Sequence, residues 1–183
     1  ELAEAFRAVP CTYIADGHHR AAAAGASHEA CDYFLAVVFP HNQLHIMPYH
    51  RVIRRLNQPA AEVLSALGTV GRMVETKDAA PGRRGEVCIY LDGVWRKLDL
   101  GRSISADAVA ALDVSILYER VLRPIFGIQD QRTDKNIEFV GGIRGTRELE
   151  RLVDEKLAAA AFSMYPVSID ELLARIRALS RRI

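Results

Sequence analysis

The stretch IYLDGVWRKLDL, residues 89–100, constrains the fold of this chain more than any other. It places Asp92-Gly93 between two β-prone runs, and Asp-Gly is a preferred two-residue turn of tight β-hairpins. The stretch therefore predicts antiparallel strands over residues 86–91 and 94–100. The sheet of this protein must be antiparallel at least here.

The remaining elements follow from apolar periodicity and from turn and cap signals. Helices are predicted over residues 1–8, 18–30, 59–67, 107–126 and 146–158. A last helix begins after Ser168, which forms a capping box with Glu171. Strands are predicted over residues 11–15, 33–39, 44–48, 70–76, 136–140 and 159–165. The run YFLAVVF at 33–39 is apolar throughout, which is typical of a strand covered on both faces, and 44–48 is its expected hairpin partner.

This order of elements indicates an α+β fold with a mixed, largely antiparallel sheet and flanking helices. Residues 1–58 carry the motifs described below and are expected to form a core region. Residues 59–183 are expected to be an α+β remainder packed on the same domain. Because the sequence starts at Glu1 and a helix is predicted at once, we expect the chain to be part of a longer protein.

Composition excludes several classes of function. The 24 basic and 23 acidic residues give a net charge of +1, so the whole molecule is not strongly attracted to nucleic acid or anionic lipid. The longest apolar runs are far shorter than the roughly 20 residues of a membrane span. Three cysteines without metal-ligand spacing fit buried thiols in a reducing compartment, and we expect a cytoplasmic protein.

The first candidate site is the stretch YIADGHHR, residues 13–20. A predicted strand, a glycine and then a helix direct unpaired backbone N–H groups toward an anion. Gly17 would let a phosphate approach the backbone, and His18 and His19 could donate hydrogen bonds to it. Arg20 could bind two phosphate oxygens with its guanidinium. The motif therefore predicts a phosphate site.

Asp16 fits this site least, because a carboxylate repels a bound phosphate. It could hold Mg²⁺, pair with Arg20, or take a proton from an attacking hydroxyl. Two other interpretations of the motif are a solvated loop and a metal site. The metal site is disfavoured, because His18 and His19 are adjacent and point in different directions from a helix.

The second candidate site is His50-Arg51, which follows LHIMPY at the expected end of the 44–48 strand. If both strand ends lie on one edge of the sheet, the basic and imidazole groups of the two motifs converge. The alternative interpretation is a surface pair on a loop.

These motifs are similar to those of a known family. YIADGHHR, FLAVVF, LHIMPYHR and, further along, LDVSILYERVLRPIFGI resemble the domain of unknown function 1015 family in order and spacing over essentially the whole chain. Members of that family are longer, so this chain resembles their middle to C-terminal part.

More distantly, GHHR at residues 17–20 is similar to the GxxR phosphate-binding motif of the ParB/sulfiredoxin superfamily. The form DGHHR is most similar to the free serine kinases of that superfamily. The resemblance implies a ParB/sulfiredoxin-like core in which residues 16–20 bind nucleotide phosphates. It also implies transfer of a γ-phosphoryl group to a small hydroxyl compound.

The motifs and the resemblance predict a phosphotransferase that uses ATP or ADP with Mg²⁺ and acts on a small hydroxyl compound, with free serine as one candidate. The predicted catalytic residues are Asp16 and His50, and Asp16 is also the predicted metal ligand. The predicted phosphate-binding residues are Gly17, His18, His19, Arg20 and Arg51. The alternative is a non-catalytic nucleotide-binding or regulatory module. Nucleic acid is a less favoured partner, a homodimer is left open, and no membrane partner is expected.

Overall fold

The computed structural model describes residues 1–26, 35–101 and 109–180. The chain forms two compact units, residues 1–40 and residues 41–183. The first unit contains helices α1 (Leu2–Phe6) and α2 (His18–Ala26). The division that the sequence predicted at residue 58 stays a prediction.

The second unit contains the sheet and further helices. Its strands are β1 (Tyr49–Ile53), β2 (Met73–Glu75), β3 (Glu86–Leu91), β4 (Val94–Asp99), β5 (Ile137–Gly141) and β6 (Ala160–Met164). Its α-helices are α3 (Ala60–Val70), α4 (Asp113–Leu117), α5 (Arg123–Phe126), α6 (Gly145–Asp154) and α7 (Ile169–Ser180). Short 3₁₀ turns lie at His41–Gln43 and Gly142–Arg144.

The hairpin predicted from IYLDGVWRKLDL is confirmed as β3 and β4. Its two turn residues, Asp92 and Gly93, both have positive φ, 52° and 73°. Two successive left-handed residues give the turn the twist that matches two antiparallel strands, and Asp-Gly tolerates that conformation. The register of the whole hairpin follows from this turn, with Leu91 opposite Val94.

The sheet has six strands in the order β2-β4-β3-β6-β1-β5, and each neighbouring pair is antiparallel. The predicted α+β class with an antiparallel sheet is confirmed. β6 lies between the two parts of the sheet, with Ser163 opposite Cys88 of β3 and Phe162 opposite Arg51 of β1. All residues of β6 are buried, as the apolar run at 159–165 predicted.

One face of the sheet carries the larger hydrophobic core. Phe162 of β6 meets Phe126 of α5 edge to face, with the ring centroids 5.5 Å apart. Apolar side chains of α3 and α4 complete this core around Ile53 and Ile89. Because successive strand residues point to opposite faces, the second face needs its own cover.

Helix α6 covers the second face. Leu149 of α6 is fully buried and belongs to the same apolar cluster as residues of β1, β3 and β6. Two acidic residues of α6 fix its position. Glu150 accepts a hydrogen bond from Trp95 Nε1–H (2.7 Å), and Asp154 accepts one from the Tyr90 hydroxyl (3.0 Å).

The helix predicted over residues 107–126 is described from residue 109, and it is regular from Asp113. It widens into a π-helical turn at Tyr118–Leu122 before α5. Pro124 explains the widening, because proline has no N–H to donate and its ring crowds the carbonyl four residues earlier. The left-handed Gly127 (φ 72°) then ends the helix.

The capping box predicted before the last helix is confirmed. The Ser168 hydroxyl accepts a hydrogen bond from the Glu171 N–H (3.2 Å), and the Glu171 carboxylate accepts one from the Ser168 N–H (2.9 Å). The reciprocal bonds satisfy two backbone donors at the start of α7.

Three strand predictions in the first part of the chain are wrong. Residues 11–15 and 44–48 form no strand, and residues 35–39 are irregular and exposed. The strand expected at 44–48 lies at Tyr49–Ile53 and pairs with β5 and β6, so the predicted hairpin does not form. An apolar run favours a strand only where a second strand satisfies its backbone, and the partners of β1 lie far downstream. Residues 27–30, 33–34 and 107–108 of the predicted elements lie outside the described residues.

Among the described helices, none is long and apolar enough to cross a membrane.

We predict that Gly142→Ala destabilises the protein, because Gly142 lies against the segment that precedes β1. A Cβ on Gly142 would lie 2.6 Å from the Pro48 carbonyl oxygen, which accepts the Gly142 N–H. Moving this backbone should lower the free energy of unfolding by about 1–3 kcal/mol in urea titration. The matched control is Gly141→Ala, because a Cβ on Gly141 meets nothing within 4 Å. Equal stability of the two variants would contradict the prediction.

Candidate functional site

The motif predicted a strand, a glycine and then a helix, and the structure has the glycine and the helix but no strand at residues 11–15. Gly17 is left-handed, with φ 79°, and α2 begins at the next residue, His18. The Ala21 N–H donates the first helical hydrogen bond, to the Gly17 carbonyl (2.9 Å). The N–H groups ahead of Ala21 therefore have no intrahelical acceptor, as an anion site at a helix start requires.

Asp16 and Arg20 form an ion pair across this turn, with 3.6 Å between Oδ2 and Nη2. Both side chains are exposed, so solvent screening keeps the pair weak. The guanidinium folds back over the turn, since a Cβ on Gly17 would lie 3.2 Å from Nη2 of Arg20. Of the three roles left open for Asp16, pairing with Arg20 is the one seen here. His19 is exposed.

His50 lies inside β1 rather than at a strand end. It is 2 % exposed, and its Nδ1 accepts a hydrogen bond from the Met164 backbone N–H on β6 (3.1 Å). Burial, with a smaller repulsion from Arg51, lowers the pKa of His50 from 6.5 to about 4. The imidazole is therefore neutral at neutral pH, and its proton is on Nε2 because Nδ1 accepts.

Arg51 also lies inside β1 and points to the other face of the sheet. It is 7 % exposed, its Nη1 donates to the Tyr49 carbonyl, and its guanidinium carbon lies 5.2 Å from the centroid of the Phe139 ring. Its Nε is buried without a hydrogen-bond partner among the described residues. Burial lowers the pKa of Arg51 to about 10, so the side chain is still a cation at pH 7.

The charge of Arg51 has no carboxylate partner in the described part of the chain, where the ion pairs all involve other basic residues. A buried cation without a counter-ion costs free energy, because the desolvation penalty is not offset. An anionic ligand that reached the guanidinium would offset it. Arg51 is therefore a candidate anion-binding side chain, on the face of the sheet that also carries Phe162 and the larger core.

Two aromatic residues next to Arg51 were missed by the sequence reasoning. Tyr49 and Phe139 stack with their ring centroids 5.3 Å apart and their planes 14° apart. Tyr49 could have been found, because strand alternation places it on the face of Arg51. Phe139 could not, because only the pairing of β1 with β5 brings it there.

Ser163 was missed as well. Its side chain is fully buried, and its Oγ has no hydrogen-bond partner among the described residues. It lies opposite Cys88 on β3, and the Arg51–Phe162 pairing places it beside His50 on β1. Burial raises the pKa of the Cys88 thiol to about 11, so Cys88 is a thiol and a poor nucleophile. Cys11, expected to be buried, is exposed, and Cys31 lies outside the described residues.

The predicted site residues fall into two sets, one in each compact unit. The first unit holds Asp16, Gly17, His18, His19 and Arg20, and the second holds His50 and Arg51. The expected convergence of the two sets stays a prediction. Within the described parts of the chain, no group of three or more His, Cys, Asp or Glu side chains could hold a metal ion.

The fold and these residues define the class as an α+β protein with an open antiparallel sheet that carries a buried His-Arg pair on an inner strand. The family model described as Protein of unknown function (DUF1015) matches residues 1–115, and the chain belongs to this family. The family predicted from the motifs is thus confirmed. No curated protein and no solved structure matches the chain. The matched range includes both motifs, whereas Phe139 and Ser163 follow it.

We predict that the stability of the protein falls as the pH falls from about 6.5 to about 4, because His50 must be protonated in that range on unfolding but not in the folded state. The contribution is fully present above pH 6.5 and amounts to about 3 kcal/mol. Urea unfolding at pH 7 and pH 4.5 measures it. His50→Gln should flatten the pH dependence, and the exposed His45→Gln should not. An unchanged slope in His50→Gln would refute this assignment.

We also predict that Arg51→Met raises the free energy of unfolding by about 1–3 kcal/mol, because it removes a buried charge without a counter-ion. Thermal and urea unfolding at pH 7 measure the change. Arg55→Met, at an exposed arginine two residues past β1, is the matched control and should have little effect. A loss of stability in Arg51→Met alone would show that Arg51 is needed for the fold.

Proposed function

We propose that this protein is a nucleotide-dependent phosphotransferase that moves the terminal phosphoryl group of ATP or ADP to the hydroxyl of a small compound, with free serine as the first candidate. The observation that carries the proposal is Arg51, a buried cation without a carboxylate partner among the described residues. A protein that keeps such a charge gains most when a ligand supplies the missing anion. The fork of an arginine guanidinium matches the oxygens of a phosphate group, with which it can form two parallel hydrogen bonds.

The turn at residues 16–20, in the first compact unit, is by itself a candidate phosphate site. The left-handed Gly17 and the start of α2 direct backbone N–H groups and the positive end of the helix dipole to one place. Arg20 and the exposed His19 add side-chain donors beside it. His18 stays in the proposal as a phosphate ligand. Arg20 can exchange its weak ion pair with Asp16 for a phosphate oxygen at small cost.

Mg²⁺ enters this proposal with the nucleotide rather than as a resident ion. Asp16 is a single carboxylate, which suits an ion held mainly by phosphate oxygens and water. No larger acidic or imidazole cluster occurs among the described residues. Asp16 would supply one oxygen to the ion that the nucleotide brings, or accept the proton of the attacking hydroxyl.

For this reaction the protein has mainly to position the nucleotide and the acceptor and to neutralise the charge of the phosphates. The hydroxyl oxygen of the acceptor attacks the terminal phosphorus, the bond from that phosphorus to its bridging oxygen breaks, and Asp16 takes the hydroxyl proton. The products are the phosphorylated compound and the shortened nucleotide. His50 is neutral, its Nδ1 is occupied, and it is buried on the face of β1 opposite Arg51.

The proposal includes a ParB/sulfiredoxin-like arrangement around residues 13–20. The support is the DGHHR sequence, the glycine with positive φ and the helix that follows it. These features are those of a GxxR phosphate motif at a helix start.

A second function is a nucleotide-binding regulatory module without turnover. The ion pair between Asp16 and Arg20 favours it, because a carboxylate that faces Arg20 is not placed to meet an acceptor hydroxyl or a metal ion. In that function the same residues hold the nucleotide, and no acceptor is phosphorylated.

We predict that the chain, incubated with ATP or ADP, Mg²⁺ and a panel of hydroxy amino acids, yields a phosphorylated product that ³¹P NMR and mass spectrometry detect. Arg20→Ala and Arg51→Met should each weaken nucleotide binding by about tenfold or more, the effect of losing one charge-assisted hydrogen bond. The matched controls are Arg7→Ala and Arg55→Met, which remove an exposed arginine from the same unit.

The outcomes separate the two functions. Binding without product supports the regulatory module and rejects the transferase. If neither ATP nor ADP changes the melting temperature, both functions fail. Normal binding in both Arg20→Ala and Arg51→Met would mean that the anchors of the nucleotide lie elsewhere.

A further inference from the structure

We propose that Tyr49 and Phe139 form a stacking platform for the base of the nucleotide, so that one face of the sheet binds both the base and the phosphates. This inference rests on the proposed function, because it names how that function's nucleotide is recognised. It adds a ligand-binding role for Tyr49, next to the His50-Arg51 pair, and for Phe139, which lies in none of the sequence motifs.

The geometry of the two rings supports a stacking site. The two ring planes are 14° apart and the ring centroids are 5.3 Å apart. Tyr49, the more exposed of the two, therefore presents a flat surface that is nearly parallel to the ring of Phe139. Tyr49 is 55 % exposed and Phe139 is 36 % exposed. A stacked aromatic pair left open to water is the kind of surface on which a planar base binds, since every base has a π-face.

Arg51 links the platform to an anion. Its guanidinium lies over Phe139, 5.2 Å from the ring centroid, and on the same face of the sheet as Tyr49. The guanidinium of Arg51, which lacks a counter-ion, is therefore next to the aromatic pair on which a planar base could stack. A nucleotide joins these two chemistries in one molecule, whereas an apolar peptide would leave the charge of Arg51 unpaired.

The edge of β5 adds polar groups beside the rings. The Gly142 N–H bonds to Pro48 and the Arg54 N–H bonds to Asn136, which sets the alternation of hydrogen bonds between β1 and β5. In an antiparallel pair the residues between these positions turn their N–H and C=O away from the partner strand. Phe139 is one of them, and no described strand lies on that side of β5. Its N–H donor and C=O acceptor can therefore meet the polar edge of a base.

The test compares ATP with inorganic tripolyphosphate, which carries the phosphates without a base. Isothermal titration calorimetry with Mg²⁺ should show ATP binding about tenfold more tightly or better, the gain from stacking one base. Tyr49→Leu and Phe139→Leu should each remove most of that advantage. Tyr49→Leu keeps the ring under Arg51 and should leave the affinity for tripolyphosphate unchanged, which also shows that this variant is folded. Ile143→Ser, which removes an exposed apolar residue just past β5, is the control and should behave as wild type.

The outcomes separate the failure of the platform from the failure of the proposed function. Equal affinity of the wild type for ATP and tripolyphosphate would overturn the platform and leave the phosphate site intact. Retention of the ATP advantage in Tyr49→Leu and Phe139→Leu would also overturn it. If neither ATP nor tripolyphosphate binds, the proposed function itself fails, and the platform fails with it.

Discussion

The sheet of this protein depends on β6, which joins two groups of strands that do not pair with each other. On one side it pairs with β3 of the hairpin, and on the other with β1, which in turn holds β5. Its residues serve both faces in alternation, so Phe162 enters the larger core while Ser163 lies under α6. The backbone of Met164 also supplies the hydrogen bond that His50 accepts. The five residues of β6 therefore contribute to the packing of the sheet, to the order of its strands and to the hydrogen bonding of His50.

Placing β1 in the interior of the sheet gives two adjacent basic residues different chemistry. His50 and Arg51 point to opposite faces, and burial lowers the pKa of each. For a group with an ordinary pKa near neutrality this removes the charge, and for a guanidinium it does not. Although they are neighbours in β1, His50 is a neutral imidazole that bonds to β6, whereas Arg51 is a cation that lacks a counter-ion in the described chain. Arg51 is the better candidate for ligand binding, because its charge has no counter-ion among the described residues.

The sequence predicted those parts of the fold that short-range chemistry determines. Asp92-Gly93 specified a turn, Ser168 and Glu171 specified a helix start, and the apolar run of β6 specified burial. It failed where the outcome depends on a distant partner. Residues 35–39 have the composition of a buried strand but no pairing partner in the described chain, and His50 and Arg51 look like polar strand-end residues until β5 and β6 flank them. For the same reason Gly17 and the start of α2 were predictable, whereas the Tyr49–Phe139 stack follows only from sheet register.

The late position of β6 in the chain has a consequence for how the protein forms during synthesis. The hydrogen bond between His50 and Met164 spans 114 positions, so β1 leaves the ribosome well before the strand that completes its pairing. At typical elongation rates this interval lasts roughly 6–23 s. The local β3–β4 hairpin can close within it, but β1 and its polar pair must wait in water with unpaired backbone groups. The buried state of Arg51 is therefore created only when the last strand of the sheet docks.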